Sequence, residues 1–299
     1  MATFNRAQFI VESLHSIINQ TYALWECLII DDGGTDNTKQ IINEKFGSDD
    51  RFKFLKRPNN YNKGIPGCRN YGIDNATGDY LIFFDDDDIV HPQNLEICLE
   101  AFQKEQIDFC VYEKKAFFKK ADSVNFQQES ISLNRFISMH DIDAIIMNTI
   151  SIGSCNVMWE KKCFNDERFN KSLLYAEEWE CYPRIISNNK NGLMINNTLY
   201  YNRKHQHSNT GQFYANDTIR VDSKKLAISL LVKNLSNKNL LSLALQNYLS
   251  GLAISLRDKN LLNDILIILK PRFEVNLYLK FKFYVFPVWR FFKKIKKQL

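Results

Sequence analysis

The stretch that decides the fold is Leu81-Ile82-Phe83-Phe84-Asp85-Asp86-Asp87-Asp88-Ile89, an apolar run followed directly by four carboxylates. The turn signal Gly78-Asp79 precedes this run, and Pro92 follows it. A short apolar run bounded in this way predicts a strand that is buried on both faces, as in a parallel sheet. The carboxyl end of that strand therefore carries a dense negative charge.

The geometry of a strand suggests how these four carboxylates are arranged. Alternation along an extended chain would turn Asp85 and Asp87 to one side and Asp86 and Asp88 to the other. Carboxylates at such short distances raise one another's pKa unless a cation or strong hydrogen-bond donors compensate their charge. A hard divalent cation, Mn²⁺ or Mg²⁺, would compensate them with oxygen ligation. Taken in isolation, the cluster is better explained by a solvated acidic turn after a core strand.

Composition limits the class of protein. The chain has 299 residues, of which 45% are hydrophobic and 24% charged, as expected for one large soluble domain or two modest ones. The net charge of +5 arises in the segment after Glu274, which contains no acid, so the body is close to neutral and nucleic acid is not expected as a partner. Seven scattered cysteines without a C-x-x-C pair indicate reduced core residues. Because no signal peptide or apolar run near eighteen residues occurs, we expect a cytoplasmic protein.

Helical and strand patterns alternate over the first 112 residues, which favours an α/β fold with a Rossmann-like, mainly parallel sheet and helices on both faces. In such sheets, ligands bind beyond the carboxyl ends of the strands. Asp31-Asp32 and Asp85 to Asp88 both follow predicted strands, so we expect both acidic clusters at one edge of the sheet. The predicted strands cover residues 26–30, 52–55, 80–84 and 108–112, and the predicted helices 7–19, 36–46, 66–76 and 92–104.

Several common nucleotide and metal motifs are absent from the sequence. No G-x-G-x-x-G follows the first strand and no G-x-x-x-x-G-K-[ST] occurs, so dinucleotide-binding and P-loop schemes lose their main support. Neither acidic cluster has the glycine that an EF-hand loop requires at its sixth position. What remains is a sheet with one acidic strand end for a base or ribose and another for a metal and a diphosphate.

Seven short motifs in the first ninety residues together resemble the ordered motifs of family 2 glycosyltransferases, which have the GT-A fold. Each motif alone is weak, whereas their order makes the resemblance specific. The motifs are Thr3-Phe4-Asn5-Arg6, Asn19-Gln20-Thr21-Tyr22, Ile30-Asp31-Asp32-Gly33-Gly34-Thr35-Asp36, Asn62-Lys63-Gly64, Arg69-Asn70-Tyr71-Gly72-Ile73, Ala76-Thr77-Gly78-Asp79-Tyr80 and Asp85-Asp86-Asp87-Asp88.

The resemblance implies roles for the acidic residues of the first half. Asp32 would contact the nucleotide base, and Asp86 would lie near the ribose. Asp85, Asp86 and Asp87 would form the D-x-D element, with Asp87 as the direct ligand of Mn²⁺ or Mg²⁺ and Asp85 contributing to both metal and donor. Arg69, near a helix start, could contact a donor phosphate, and a structural ion pair is an equal alternative.

A second acidic group occurs at Tyr175-Ala176-Glu177-Glu178-Trp179-Glu180, followed by Arg184. It resembles the family's acid-rich helix start, usually Glu-Asp-Trp, which implies that Glu178 is the catalytic base. The departure is Glu in place of Asp, so Glu177 is kept as the second candidate. Without the resemblance, these acids are better explained by the favourable interaction of negative charge with a helix N-terminus.

The segment from Arg203 to Ser208 follows a strand-like run at 194–201 and resembles the family's Arg-x-His-x-x-Ser segment. On that match, Arg203 contacts the donor diphosphate and His205 contributes to the metal site. A surface histidine is the alternative.

The sequence therefore predicts a bacterial glycosyltransferase of polysaccharide, lipopolysaccharide or capsule synthesis. It would move a sugar from a nucleotide-sugar, with UDP as the favoured nucleotide, to a hydroxyl of a glycan or lipid-linked acceptor, with inversion. A non-catalytic nucleotide or sugar binding module that has kept the fold is one alternative. A glycosidase with two carboxylates is another, although it would leave the two acidic strand ends without a joint purpose.

The two ends of the chain carry separate expectations. Residues 1–215 would form the GT-A domain, divided into a nucleotide-sugar part at 1–112 and an acceptor and base part at 113–215, and residues 216–299 a helical region. Its basic aromatic tail suits the interface of an anionic bilayer, on the inner face of the cell membrane; a solvated tail or a helix on a partner subunit is the alternative.

Because the family has an apolar strand ahead of Thr3, we predict that this first, central strand is missing and that the chain is unstable or inactive in this form.

Overall fold

The computed structural model describes residues 1–118, 124–204 and 209–295. The predicted strands and helices of its first half occur in the predicted order, with boundaries shifted by up to three residues except at β6, which ends five residues later than predicted; the short strands β1 and β5 are additional. The elements are β1 (Ala2–Thr3), α1 (Ile10–Ile18), β2 (Cys27–Asp31), α2 (Thr38–Phe46), β3 (Phe52–Lys56), α3 (Ile65–Asn75), β4 (Tyr80–Ile82), β5 (Ile89–Val90), α4 (Asn94–Lys104) and β6 (Phe109–Phe117).

The second half adds three strands and then becomes entirely helical, as the leucine-rich and isoleucine-rich pattern after residue 217 predicted. Two short 3-10 helices, Met139–Asp141 and Lys161–Phe164, connect its elements. The elements are β7 (Leu133–Ile137), α5 (Ile142–Ile146), β8 (Val157–Glu160), α6 (Glu177–Ile186), β9 (Gly192–Arg203), α7 (Asn209–Tyr214), α8 (Thr218–Asn237), α9 (Leu243–Ser255), α10 (Lys259–Leu269) and α11 (Phe273–Ile295).

The strands form two sheets within the described residues. The smaller sheet has the order β1-β2-β3 and is entirely parallel, as predicted. The larger sheet has the order β4-β8-β6-β9-β5, with β7 also on β9, and only its β6–β9 pair is parallel. This sheet is mixed because β8, which the sequence pattern did not reveal, runs antiparallel between β4 and β6.

Two apolar cores pack against these sheets. In the first core, the face of α1 formed by Ile10, Leu14 and Ile17 packs with Ile29 of β2 and Phe46 of α2. This face arises because apolar residues at three- and four-residue spacing lie on one side of a helix. The second core joins the mixed sheet and α6 to the C-terminal helices α8 to α10. The helical region is thus anchored to the sheet by a shared core.

The N-terminal strand β1 consists of two residues and lies at the edge of the smaller sheet. The amino group of Met1 donates to the carbonyl oxygen of Leu28 at 2.9 Å, and the Ile30 amide donates to the Met1 carbonyl oxygen at 2.8 Å. These bonds set β1 parallel to the carboxyl-terminal half of β2. A strand therefore does precede α1, although it is much shorter than its neighbour.

Within the described ranges, no α-helix is both long enough and apolar enough to cross a bilayer.

Candidate active site

A cavity of about 870 Å³ opens beside the carboxyl ends of β2 and β4 and brings together the residues singled out from the two halves of the chain. His205 lies outside the described residues, so its predicted role in a metal site has no structural counterpart here. The predicted residues that line the cavity are Asp32, Arg69, Asp85, Asp86, Asp87, Glu177, Glu178 and Arg203.

The four aspartates after β4 do not alternate as the sequence analysis expected. The strand ends at Ile82, and Asp86 and Asp87 form a turn, so the rule for an extended chain does not apply to them. The turn brings Asp85 and Asp88 together instead, and carboxylate oxygens of both lie within 4.8 Å of each other and of the Cys155 sulfur. The predicted pairing of Asp85 with Asp87 and of Asp86 with Asp88 was therefore wrong.

Arg6 neutralises the tip of this turn. Its Nε donates to Asp86 Oδ1 at 3.0 Å, and its Nη2 lies 3.8 Å from Asp87 Oδ2. Burial raises the pKa of Asp86 to about 7, and the charge of Asp87 adds to this rise while Arg6 opposes it. The predicted mutual effect of neighbouring carboxylates on their pKa is thus present, but burial is its larger cause.

Asp88 is held by the end of β9. The backbone N–H of Arg203 donates to Asp88 Oδ1 at 2.7 Å, and the side-chain amide of Asn202 donates to Oδ2 at 3.0 Å. Burial raises the pKa of Asp88 to about 7, with further contributions from the charges of Asp85 and Asp87. A bound divalent cation would reverse this rise, because it favours the charged form of each carboxylate.

The donor atoms at this turn fit a divalent cation. Asp85 and Asp88 offer carboxylate oxygens, which Mg²⁺ and Mn²⁺ prefer, and Asp87 lines the same cavity. The third atom of the cluster, the Cys155 sulfur, is softer, and its thiol donates to Asp85 Oδ2 at 2.9 Å. The carboxylate oxygens of this set suit Mg²⁺ and Mn²⁺ alike.

Arg69 connects the acidic turn to the start of α6. Its side chain is buried, with Nη1 3.0 Å from Glu177 Oε1 and Nη2 3.4 Å from Asp85 Oδ1. The rings of Phe83 and Phe169 lie 5.8 Å and 5.3 Å from the guanidinium carbon. Of the two alternatives considered for this residue, the structure therefore displays the ion pair.

The two glutamates at the start of α6 have different surroundings. Glu177 is buried against Arg69, whereas Glu178 is half-buried and lines the cavity. Burial raises the pKa of Glu177 to about 8, and the charge of Glu178 adds to this rise while Arg69 opposes it. Ala176, immediately before them, has a left-handed backbone with φ of 62°. This conformation starts the helix abruptly and directs its acids at the cavity.

Trp179 and Lys224 support the same helix end. The indole Nε1 of Trp179 donates to the Ile146 carbonyl oxygen at 3.0 Å, and Lys224 Nζ of α8 lies 3.1 Å from the centre of the indole ring. Burial lowers the pKa of Lys224 to about 7, although the charge of Glu178 opposes this shift. Helix α8 thus contacts Trp179, the residue next to the predicted base Glu178.

Asp32, at the end of β2, is fixed by the loop that precedes α3. Arg57 Nε donates to Asp32 Oδ1 at 2.6 Å, and the backbone N–H of Gly64 donates to Oδ2 at 3.0 Å. Gly64 has a φ of 112°, and a Cβ there would lie 2.7 Å from a methyl carbon of Leu174. The positive φ therefore favours glycine at this position, whereas the exposed Leu174 side chain could move away from a Cβ.

The comparison with protein families decides the affiliation of the chain. Residues 1–163 match the model described as "Glycosyl transferase family 2", which is more than half of the sequence. The chain belongs to this family. Several relatives are longer proteins, and the chain spans only 11% to 25% of their length.

One relative of this family 2 chain is similar in size. It is the Escherichia coli UDP-Glc:alpha-D-GlcNAc-diphosphoundecaprenol beta-1,3-glucosyltransferase, 38% identical over 190 residues, which are 63% of the chain and 69% of the relative. Among solved structures, Staphylococcus aureus TarS 1–349 with UDP-GlcNAc has a TM-score of 0.67 at 18% identity, covering 89% of the chain and 78% of TarS. The Pyrobaculum calidifontis mannosyltransferase with GDP-Man and Mn²⁺ has a TM-score of 0.55 at 12% identity, covering 90% and 72%. The fold of the family 2 chain is therefore GT-A.

Arg203 has a different environment from the one that the family resemblance implied. Its Nε donates to the Asp87 carbonyl oxygen at 2.7 Å and its Nη2 lies 2.5 Å from Glu12 Oε2, while the rings of Phe9 and Phe117 flank the guanidinium group. Because it also lines the cavity, it is available both to brace the turn and to approach a ligand.

Three residues of the family 2 site were not assigned roles from the sequence. Arg6 belongs to the motif Thr3-Phe4-Asn5-Arg6. Because the four carboxylates require a neighbouring cation, this arginine could have been recognised as a candidate from the sequence. Cys155 lies 70 positions from Asp85, and Asn202 lies 114 positions from Asp88. No local pattern reveals such contacts, because they depend on the positions that β8 and β9 take on either side of β6 in the mixed sheet.

Proposed function

We propose that the chain transfers a sugar from a UDP-sugar to a hydroxyl group of a glycan or lipid-linked acceptor, with inversion at the anomeric carbon. The observation that carries this proposal is that Glu178 and the acidic turn at Asp85 to Asp88 line one cavity, so a base and a site for a leaving diphosphate face the same space. Residues 1–112 would bind the donor, and residues 113–215 would bind the acceptor and supply the base. Residues 216–299 would support the start of α6, which carries the base.

The donor would occupy the side of the cavity formed by the strand ends. Asp32 would contact the nucleotide base and Asp86 the ribose, since the two carboxylates lie after β2 and β4 respectively. Arg203 and Arg6, which line the same cavity, are placed to approach the diphosphate. The UDP and UDP-GlcNAc complexes of TarS, a protein of the same fold, support a uridine nucleotide.

A divalent cation would be held by oxygens of Asp85 and Asp87, with Asp88 and the Cys155 sulfur as neighbouring donors. When bound, it would supply positive charge that offsets the charge developing on the departing nucleotide. The Mn²⁺ in the solved mannosyltransferase supports this assignment.

Glu178 would act as the base that removes the acceptor's proton while the acceptor oxygen attacks the anomeric carbon. It is half-exposed to the cavity, whereas Glu177 is occupied by Arg69. A general base must reach the proton that it takes, so access favours Glu178. A single displacement of this kind inverts the anomeric configuration.

A membrane-bound acceptor would agree with the exposed face of α11. Phe273, Leu277, Phe281 and Tyr284 recur at spacings of four, four and three residues and are 58% to 80% exposed, while Leu279 on the other face is buried. The sequence after Glu274 contains no acid. An apolar helix face with basic flanks suits the surface of an anionic bilayer. The diphosphoundecaprenol in the name of the Escherichia coli relative supports a lipid-linked acceptor.

The alternative is a binding module without catalysis, and one observation favours it. Asp32, Asp86 and Glu177 are already paired with Arg57, Arg6 and Arg69, so these acids are neutralised without a ligand. Both functions predict donor binding, but only the enzyme releases free nucleotide from it.

The experiment is a thermal-shift screen of UDP-, GDP- and CMP-sugars with Mn²⁺, followed by measurement of nucleotide release. A donor at a hundredfold excess over its dissociation constant would stabilise the fold by about 2.7 kcal/mol. Stabilisation together with nucleotide release in the presence of a lipid-linked acceptor supports the transferase. Stabilisation without release under any acceptor condition supports the binding module, and no stabilisation by any donor contradicts both.

A further inference from the structure

The active-site cavity contains a cation, Lys114 of β6, to which neither the donor nor the base has assigned a role. Tyr112 and Lys114 are two residues apart on this strand, so their side chains leave it on the same face. That face is turned toward the loop before β8, because the Tyr112 hydroxyl donates to the Cys155 carbonyl oxygen at 2.8 Å. Gly153 and Ser154 of this loop line the cavity together with Lys114.

Glycine at position 153 makes room for the ammonium group. A Cβ at Gly153 would clash with Lys114 Nζ, so the lysine extends directly across this residue. The buried side chain of Asn156 holds the loop in place. Its Oδ1 accepts from the Gly153 N–H at 2.6 Å, and its Nδ2 donates to the Tyr112 carbonyl oxygen at 2.8 Å. The wall beneath Lys114 is therefore fixed to β6 by hydrogen bonds.

Most other cations of the cavity lining are already neutralised. Ion pairs with carboxylates of the chain are formed by Arg6, Arg69, Arg203 and Arg220. Lys63 lies over the ring of Phe4, 5.1 Å from its centre, and Lys204 lies beyond the end of β9. Among the described residues, no carboxylate forms an ion pair with Lys114. Its charge is therefore left for a ligand or for water.

Lys114 lies on the side of the acidic turn that leads to the proposed base. Burial and nearby carboxylates raise the pKa of the Cys155 thiol, and the charge of Lys114 opposes this rise, so the ammonium group is near that thiol. The thiol donates to Asp85 Oδ2 at 2.9 Å. Asp85 is joined in turn, through the guanidinium group of Arg69, to the start of α6.

The diphosphate of the donor is expected at a different part of this turn. Arg6 contacts the carboxylates of Asp86 and Asp87, and Arg203 donates to the Asp87 carbonyl oxygen. Those two arginines are the cations proposed above to approach the diphosphate. Lys114 is separate from them and lies between the turn and the base, where the two sugars would meet.

We propose that Lys114 and Ser154 form a subsite for a sugar carboxylate, so that one of the two sugars joined in the reaction is a uronic acid. This inference rests on the proposed function, because it names a substrate class for the same cavity. The ammonium group would donate to the carboxylate in a charge-assisted hydrogen bond, and the Ser154 hydroxyl can rotate to supply a second donor. The carboxylate could belong to the donor sugar or to the terminal sugar of the acceptor.

The test compares the full natural chain with two variants that act on the ammonium group by different routes. Lys114→Met removes the charge and keeps most of the length of the side chain. Gly153→Ala keeps the charge but displaces the ammonium group, and alanine suits the backbone because the φ of Gly153 is not positive. Lys115→Met, at an exposed position outside the cavity lining, is the control for a general loss of charge.

Two arms distinguish the possible sources of the carboxylate. The donor arm measures, by calorimetry with Mn²⁺, the affinities for UDP, UDP-glucose, UDP-galactose, UDP-glucuronate and UDP-galacturonate. The acceptor arm measures, by NMR titration, the affinities for disaccharides that end in each of the same four sugars. In one arm we expect a uronate to bind about tenfold more tightly than its neutral counterpart. Lys114→Met and Gly153→Ala should remove most of this preference and leave the affinity for UDP unchanged.

Equal affinities for uronate and neutral sugars in both arms would overturn the proposal. So would a preference that survives in Lys114→Met, or one that Lys115→Met removes to the same extent. A parallel loss of UDP affinity in Lys114→Met would show that the ammonium group meets the nucleotide diphosphate, and it would overturn the proposal as well. A Lys114-dependent preference without nucleotide release under any acceptor condition would leave the subsite standing and count against the proposed function alone.

Discussion

The guanidinium group of Arg69 and the carboxylate of Glu177 form a buried ion pair between residues 108 positions apart, with 3.0 Å between Nη1 and Oε1. The pair ties α3 to the first residue of α6. It also pairs Glu177, so that Glu178 is the more accessible of the two glutamates that line the cavity. The different surroundings of two adjacent residues lead to different predictions for their substitution.

Glu178→Gln is expected to slow sugar transfer by roughly 10² to 10⁴ while leaving donor affinity nearly unchanged. Glutamine keeps the size of the side chain but cannot accept the acceptor's proton. Transfer rate and calorimetric affinity for UDP-sugar and Mn²⁺ are measured on the same preparations. Glu177→Gln is the matched comparison. If Glu178→Gln loses donor binding, or retains transfer while Glu177→Gln loses it, the base has been assigned to the wrong residue.

Arg69→Met is expected to destabilise the fold by about 3 to 5 kcal/mol, because it leaves the buried Glu177 without its cation. The loss should grow with pH. The folded-state pKa of Glu177 is already raised to about 8 by burial, and removal of Arg69 raises it further, against about 4.3 in the unfolded chain. Up to about pH 8 both folded proteins hold this proton, so their stabilities fall together; above that value Glu177 of the natural chain ionises while that of the variant stays protonated, and the loss relative to the natural chain grows.

Urea unfolding of Arg69→Met across this pH range measures the effect. The double variant Arg69→Met with Glu177→Gln should recover much of the loss and remove its pH dependence, since no buried charge remains. A loss relative to the natural chain that does not grow above about pH 8 would show that Glu177 does not depend on Arg69 for its charge.

Asp87→Asn is expected to weaken Mn²⁺-dependent UDP binding at least tenfold, since an amide replaces a charged oxygen ligand. Cys155→Ser should lower Mn²⁺ affinity less and should abolish the sulfur-to-metal absorption band that Co²⁺ produces with a thiolate ligand. Cys163→Ser, another buried cysteine outside the cavity lining, is the control. Retention of the Co²⁺ band in Cys155→Ser would exclude sulfur ligation by this residue.

Lys224→Met is expected to raise the melting temperature near pH 7 by a few degrees. Burial lowers the folded-state pKa of Lys224 to about 7, against about 10.4 in the unfolded chain. The unfolded chain thus binds the extra proton between these values, so this lysine makes stability rise with pH from about 7 to 10. The variant should lack that rise relative to the natural chain. Lys233→Met, at an exposed position of the same helix, should leave the rise intact.

Phe281→Asp is expected to reduce binding to anionic vesicles at low salt several-fold, because it places a charge in the exposed apolar face of α11. Removal of the chain from Pro287 onward should abolish that binding. Ile267→Asp, at an exposed position of α10, tests whether any added charge has the same effect. Unchanged sedimentation of the truncated chain with anionic vesicles would rule out the membrane contact.

The sequence predicted the first half of the fold well, because its signals are local. The apolar face of α1 and the short runs in β2 and β4 are contiguous or periodic in the chain, and Gly78 marks a turn. The mixed sheet was harder to predict, since β8 is short and becomes a strand only by pairing with β4 and β6.

The sequence predicted residues that line one cavity in the structure, but it did not predict their arrangement. Asp85 to Asp88 were recognised from their position after an apolar run. Their arrangement depends on the end of β4 at Ile82, which lets Asp86 and Asp87 turn, and on the side chain of Arg6 from another element. An ion pair such as Arg69–Glu177 leaves no trace in local sequence, because each partner satisfies an ordinary helical pattern on its own.

Ala176 adopts a left-handed backbone conformation that costs an L-residue about 1 to 2 kcal/mol and that glycine adopts freely. Its methyl group lies in a small cluster with Leu173 and Ala227, which offsets part of that cost. Ala176→Gly would relieve the backbone but allow the two adjacent glutamates more orientations. Local strain is thus stored two residues before the proposed base, where it fixes the orientation of the helix start at the expense of stability.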